Sequence, residues 1–484
     1  MVLFGRKAVV LREFIERPIM PDHVQLLAPL ALLPHGWEEN VRIEIEASSG
    51  TIVSAGAAAA DAAGGAGRLE GPVIPGMANL HSHAFQRAIA GLTERRGGDT
   101  DSFWTWRETM YRFVSLLEPE HTAAIAAQLF VEMLEAGFTS VAEFHYLHHD
   151  RNGRPYDELT ETSQRIVAAS KQAGIRLTLL PVLYTQGGFG GKPLSGGQKR
   201  FANDIEQFNR LMDALHSAFA RDPGVGLGLA LHSLRAVSPQ AMGEVLAHLD
   251  ALDPHAPVHV HVAEQVREVE ECLAFCARRP VEWLFDNAGV DRRWCLVHAT
   301  HVDEAEIDAI VASGAVVGLC PTTEANLGDG IFPAVECLQR GGRFGVGSDS
   351  NVSVSPSEEL RLLEYGQRLR HRRRAMLTSR QQPSVGRFLY EAAALGGAQA
   401  LGIAAGELKP GACADFVVLD RDSPALYGRH EDALLDAAVF AGNRNVVSSV
   451  WVGGKEVVSQ GRHPMRERIF ARYKATIDAL AAEL

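Results

Sequence analysis

From about residue 75 onward, short apolar runs alternate with longer amphipathic stretches. The apolar runs fall at 73–81, 139–144, 176–184, 225–232, 257–263, 294–298, 315–320 and 343–348, each of strand length. The stretches between them, such as HTAAIAAQLFVEMLEAG (121–137) and SPQAMGEVLAHLD (238–250), carry apolar residues at i, i+3 and i+4, the helical period. Eight strands with interleaved helices predict an α/β fold, a (β/α)8 TIM-type barrel, with a doubly wound open sheet as the alternative.

The two ends of the chain follow a different period. NVRIEIEASSGTIVSAG (40–56) alternates around a Ser-Gly turn, which predicts a hairpin. GELKPGACADFVVLD (406–420) and NVVSSVWVGGKEVVSQG (445–461) alternate in the same way, the latter about Gly453-Gly454, a two-residue hairpin signal. The expected organisation is an extension over 1–24, a small β-sandwich domain built from 25–74 and 403–465, the barrel over 75–402 and a C-terminal helix over 466–484. AGAAAADAAGGAG (55–67) reads as a low-complexity loop.

Composition narrows the partners. The 484 residues are 46% hydrophobic with a net charge of −12, which argues against a nucleic-acid partner and requires local arginines for any anionic substrate. The basic run RLRHRRR (368–374) reads as a solvated helix end, and TWRETMYRFVSLL (105–117) as a helix that covers a site or forms a subunit interface. Six scattered cysteines form no CxxC and read as buried thiols of a reducing compartment. No apolar run approaches the ~18 residues of a membrane span. The N-terminal stretch, interrupted by Arg, Lys and Glu, lacks a signal-peptide core. The expected setting is cytoplasmic, with no membrane partner.

The chemistry-bearing residues gather at the C-terminal ends of the predicted strands, where barrel active sites form. The first ends in LHSH (His81, His83). HxH on a strand directs two imidazoles to one side. The fifth is VHVHVAE (His259, His261, Glu264), the sixth CLVHATH (His298, His301) and the eighth GVGSDS (Asp349). The second and fourth end in EFHY (Glu143, His145, Tyr146) and LHSLR (His232, Arg235). Taken singly, each histidine reads as a structural residue. Together, three imidazoles and a carboxylate at a barrel mouth suit one divalent metal with a position open to water. His259 and His261 share a strand face and compete for one ligand position.

PGMANLHSH, HVAE, LVHATH and GSDS resemble the amidohydrolase superfamily in its single-metal deaminase branch, and LKPGACADFVVLD resembles its return to the small β domain. The longer motifs HSHAFQRAIAGL, SFWTWRETMYRF, AEFHYLHHD, LHSLRAVSP, HVAEQVREVEEC and TTEANLGDGIFP resemble the members that hydrolyse N-formimino-L-glutamate to N-formyl-L-glutamate and ammonia in histidine breakdown. The resemblance spans about residues 26–462. It implies metal ligands His81, His83, His261 and Asp349, choosing His261 over His259 because only His261–Glu264 fits its His-x-x-Glu pattern. His259 and His301 are then structural or supporting. It implies one divalent metal ion per subunit, with Zn2+ expected, and a homodimer. It further implies catalytic Glu264, His298 and Asp349, Arg107 and Arg235 as clamps for the two substrate carboxylates, and Gln86, Tyr146 and His232 as further substrate contacts. The alternatives are a deaminase of a cyclic amidine of purine or pterin type, a non-catalytic assembly protein, or a metal-storage module. The last two do not account for a filled ligand set flanked by Glu264, His298 and two arginines.

Overall fold

The computed structural model describes residues 22–58, 66–94 and 103–483. Residues 1–21 of the expected extension and 59–65 of the Ala/Gly-rich loop lie outside the described residues.

The central sheet contains the eight expected barrel strands: β1 (Met77–Ser82), β2 (Phe138–His145), β3 (Arg176–Leu183), β4 (Leu229–Ser233), β5 (Val258–Val262), β6 (Trp294–His298), β7 (Val316–Leu319) and β8 (Arg343–Val346). Each pairs in parallel with the next in sequence. The seam between β8 and β1 is bridged just beyond the strands, where Asp349 N–H donates to His81 O at 2.9 Å and His83 N–H to Asp349 O at 3.0 Å. The strands are rich in Val, Leu and Phe and almost wholly buried, as parallel strands covered by helices require.

Two apolar runs divide where the sequence pattern read them as single strands. Val73–Pro75 belongs to the second sheet, and only Met77–Ser82 enters the barrel. Val225–Leu227 pairs with β3, and Gly228 separates it from β4. A Cβ on Gly228 would lie 2.4 Å from Pro257 O, so only glycine fits this step. The helix Val385–Leu401 packs across the seam, and Gly396 permits the approach: a Cβ there would lie 1.9 Å from Phe344 O.

Strands from both chain ends build a second sheet in the order 455–458, 447–452, 416–419, 73–75, 23–33, 36–46, 51–57. Phe416–Leu419 runs antiparallel to Val73–Pro75, joining the two ends. Alternate residues, among them Leu26, Val41, Ile43, Ile45, Phe416 and Val418, bury a core apart from the barrel's. Gly453 and Gly454 close the last hairpin at φ +56° and +71°, a conformation glycine adopts freely. Arg176, opening β3, donates through Nε and Nη2 to both carboxylate oxygens of Asp415 at 2.9 and 3.1 Å, tying barrel to sheet. The basic run lies at the end of helix Pro356–His371, where Arg368 pairs with Glu364 and Arg370 donates to Ile331 O. No described helix is long and apolar enough to cross a membrane.

Candidate metal centre and active site

His81 and His83 leave β1 with both Nε2 atoms 3.2 Å apart. His261, from β5, brings its Nε2 to 3.0 Å from that of His81. Asp349 Oδ1 lies 3.4 Å from His81 Nε2 and 3.3 Å from His83 Nε2. His83 Nδ1 donates to Phe144 O at 3.1 Å and His261 Nδ1 to His232 O at 2.8 Å. A backbone carbonyl only accepts, so the proton of these rings sits on Nδ1 and each Nε2 carries a lone pair. Burial chiefly holds His81 down at about 3 and lowers His83 and His261, keeping the rings neutral. Lone pairs and a carboxylate oxygen thus converge, an arrangement that repels itself without a cation between them. Four of the donor separations run from 3.0 to 3.4 Å, and all four donor atoms lie within 4.8 Å of one another, close enough to share one cation. The donor set fits one divalent cation.

The competing histidines lie elsewhere. His259 Nε2 donates to Ala400 O at 2.8 Å, deep in the barrel. His301 Nε2 donates to Asp329 O at 2.8 Å and does not line the cavity.

Beside the cluster, His298 Nε2 stands 3.9 Å from Glu264 Oε1 and 3.8 Å from Asp349 Oδ2. Burial opposes a charged His298 ring, but Glu264, Glu324 and Asp349 outweigh it and raise the ring to about 10. Burial lifts Glu264 to about 7 against the pull of His298 and Arg235. His298 and Asp349 adopt left-handed backbone, φ +69° and +47°. Such strain in non-glycine residues collects at functional sites.

A cavity of about 60 Å³ lies over this cluster, roofed by helix Phe103–Val114. That helix contributes Trp106, Arg107, Met110 and Tyr111, so it covers the site mouth, one of the two roles its spacing allowed. Gln86, Tyr146, His232 and Arg235 line the same cavity. Gln86 Nε2 donates to Tyr146 Oη at 2.9 Å, and its buried Oε1 has no partner among the described residues. Arg107 Nε donates to Tyr111 Oη at 2.7 Å. Arg107, His232 and Arg235 also wall an adjoining cavity of about 120 Å³ that contains Lys192 and Arg267. Two larger clefts, of about 670 and 430 Å³, lie away from this cluster and contain none of its residues.

Three contributors carried no assigned role in the sequence: Tyr111, Glu268 and Glu324. Tyr111 was legible as the residue one helical turn after Arg107. Glu268 accepts from the backbone N–H of Ala263 and Glu264 at 3.2 and 3.3 Å, and Glu324 stands 3.3 Å from His298 Nδ1. Both sit inside quoted motifs, but their partners are distant or backbone groups that spacing does not reveal.

A model of the amidohydrolase family matches residues 73–457, and a model described as the formimidoylglutamate deiminase HutF N-terminal domain matches residues 26–68. A formimidoylglutamate deiminase from Pseudomonas aeruginosa is 55% identical over 92% of this chain and 96% of its own. A 5-methylthioadenosine/S-adenosylhomocysteine deaminase from Natronomonas pharaonis is 27% identical over 90% of this chain and 92% of its own. The crystal structure of an amidohydrolase from Brucella melitensis superposes with a TM-score of 0.88 at 48% identity, covering 95% of this chain and all of that one.

Proposed function

The chain belongs to the amidohydrolase family, and from that premise we propose that it hydrolyses N-formimino-L-glutamate to N-formyl-L-glutamate and ammonia in histidine breakdown. The observation that carries the substrate is one cavity with a metal-type cluster, Glu264 and His298 at its base and the guanidinium-bearing Arg107 and Arg235 on its wall. A linear dicarboxylate presents an amidine at one end and two anions elsewhere, and this lining matches both. We assign catalysis to the barrel span, 75–402, and support to the sheet drawn from 25–74 and 403–465.

A divalent cation, zinc in our reading, held by His81, His83, His261 and Asp349 supplies Lewis acidity that makes water a nucleophile near neutral pH. Asp349 takes one proton from the attacking water. His298, charged and held at the base of the cavity, stabilises the oxygen as it adds to the formimino carbon. Glu264, with its carboxyl raised to about 7, donates its proton to the imino nitrogen and so sharpens the carbon as an electrophile. On collapse, the Asp349 proton passes to that nitrogen, the C–N bond breaks and ammonia leaves. The hydroxyl proton returns to Glu264 as the formyl C=O forms. Arg107 and Arg235 hold the carboxylates through paired N–H donors, and Gln86, Tyr146 and His232 supply neutral contacts. The free state of the six cysteines supports a reducing, cytoplasmic setting, and a homodimer is our expected assembly.

The test is ammonia release from N-formimino-L-glutamate beside a panel of purine and pterin amidines, with and without a chelator. Chelator-sensitive release from the linear substrate alone supports the reading. Release only from a cyclic amidine would retain the metal centre and remove the carboxylate roles of Arg107 and Arg235.

A further inference from the structure

His298 emerges from β6 in the left-handed region at φ +69°, with Ala299 following at φ +48°. Regular strand geometry therefore does not orient its ring, and a side-chain contact has to do so. On one side of the ring, Nε2 faces Glu264 Oε1 at 3.9 Å and Asp349 Oδ2 at 3.8 Å. On the other, Nδ1 lies 3.3 Å from Glu324 Oε1.

Glu324 is itself fixed. Cys320 N–H donates to the same Oε1 at 2.9 Å, and the Glu324 carbonyl accepts from Asp329 N–H at 2.9 Å. Its residue is 6% exposed, on the short helix Pro321–Leu327 that follows β7. An ionised carboxylate only accepts, so this contact keeps a proton on Nδ1 and fixes the plane of the ring. Orienting acceptors of this kind behind a functional histidine set its tautomer and aim.

We propose that Glu324 is a positioning residue for the hydrolytic step: it holds His298 by Nδ1 so that Nε2 stays aimed at the gap between Glu264 and Asp349. This rests on the role given to His298 above. Glu324 touches neither the metal-type cluster nor the wall that carries the arginines, so its effect falls on the chemical step and not on substrate or metal binding.

The experiment compares wild type, E324Q and E324A in the metal-loaded enzyme. Three quantities are read: kcat and KM for N-formimino-L-glutamate, metal content, and the His298 Nδ1–H proton resonance, assigned by its loss in H298Q. E324Q keeps the shape and an acceptor oxygen, so it preserves the fold should E324A fail to. The expected result is a graded fall in kcat, several-fold for E324Q and about 10- to 100-fold for E324A. KM and metal content stay within about twofold, and the Nδ1–H resonance moves upfield in E324Q. Unchanged kcat overturns the proposal, as does a fall in kcat with the resonance unmoved, or with loss of metal. If wild type fails to turn over N-formimino-L-glutamate, the substrate reading falls, and the resonance arm alone decides whether Glu324 holds the ring.

Discussion

Replacing Arg107 by Met retains most of the apolar stem that lies among Trp106, Met110 and Tyr111 and removes only the guanidinium. In the free enzyme that group donates to Tyr111 Oη and stacks 5.2 Å over its ring. It makes no contact with His81, His83, His261 or Asp349, so metal content stays constant. A charge-assisted hydrogen bond contributes about 1.5–3 kcal/mol, and leaving a buried carboxylate unpaired costs about 2–5 kcal/mol. Arg107 is partly exposed where Arg235 is only 9% exposed, which puts Arg107 at the lower end. At about 2 kcal/mol, kcat/KM falls roughly 30-fold at 1.36 kcal/mol per decade.

The double variant with Arg235→Met separates two arrangements. If each arginine holds its own carboxylate, the two losses add within about 0.5 kcal/mol. If both grip one carboxylate, the second substitution costs much less than it does alone. The assay is steady-state ammonia release with metal content measured on the same samples. A kcat/KM for Arg107→Met within threefold of wild type, with metal retained, refutes the clamp and with it the linear dicarboxylate as the reason for this cavity.

Glu264→Gln keeps the shape and the Glu268–backbone contacts but cannot donate the imino proton. Its kcat falls by about 10²–10⁴ with metal content unchanged, and residual turnover within tenfold of wild type would contradict the acid role. Asp415→Asn weakens the twofold contact with Arg176, whose partner oxygens are wholly buried. Denaturant unfolding should lose about 3 kcal/mol while kcat at 25 °C is unchanged, and equal unfolding midpoints would disprove the link between barrel and sheet. Burial lowers His259 to about 4 from 6.5, so between those values the unfolded chain binds a proton that the folded one does not. Stability attached to this ring is complete above about pH 6.5 and declines as pH falls toward 4, by about 2 kcal/mol at pH 5. His259→Gln should shrink the stability difference between pH 7.5 and 5 by that amount, and identical differences would mean the ring titrates normally.

The barrel was legible because its signal is local. Each strand is a short, largely apolar run, the flanking helices repeat apolar faces, and the HxH and HVAE motifs each span one strand end and the residues just past it. What escaped the pattern is set across elements. Val73–Pro75 and Met77–Ser82 form one continuous apolar run in the sequence, yet they enter different sheets, because Phe416–Leu419 competes for the first three residues. His259 and His261 are indistinguishable by strand face, and they separate only in three dimensions. One reaches Ala400 O on the helix beneath the barrel, the other reaches His81 across its mouth. Glu324 is harder still, since its partner is 26 residues away on another strand end and that partner's backbone is left-handed. His81 and His261 sit on strands and His83 and Asp349 lie just past them, so the donor residue types were visible in the sequence, whereas the choice of His261 over His259 was not. The residues that aim His298 act where regular geometry stops, at β6 and in the turn after β7, and there only the folded backbone determines which carboxylate meets which nitrogen.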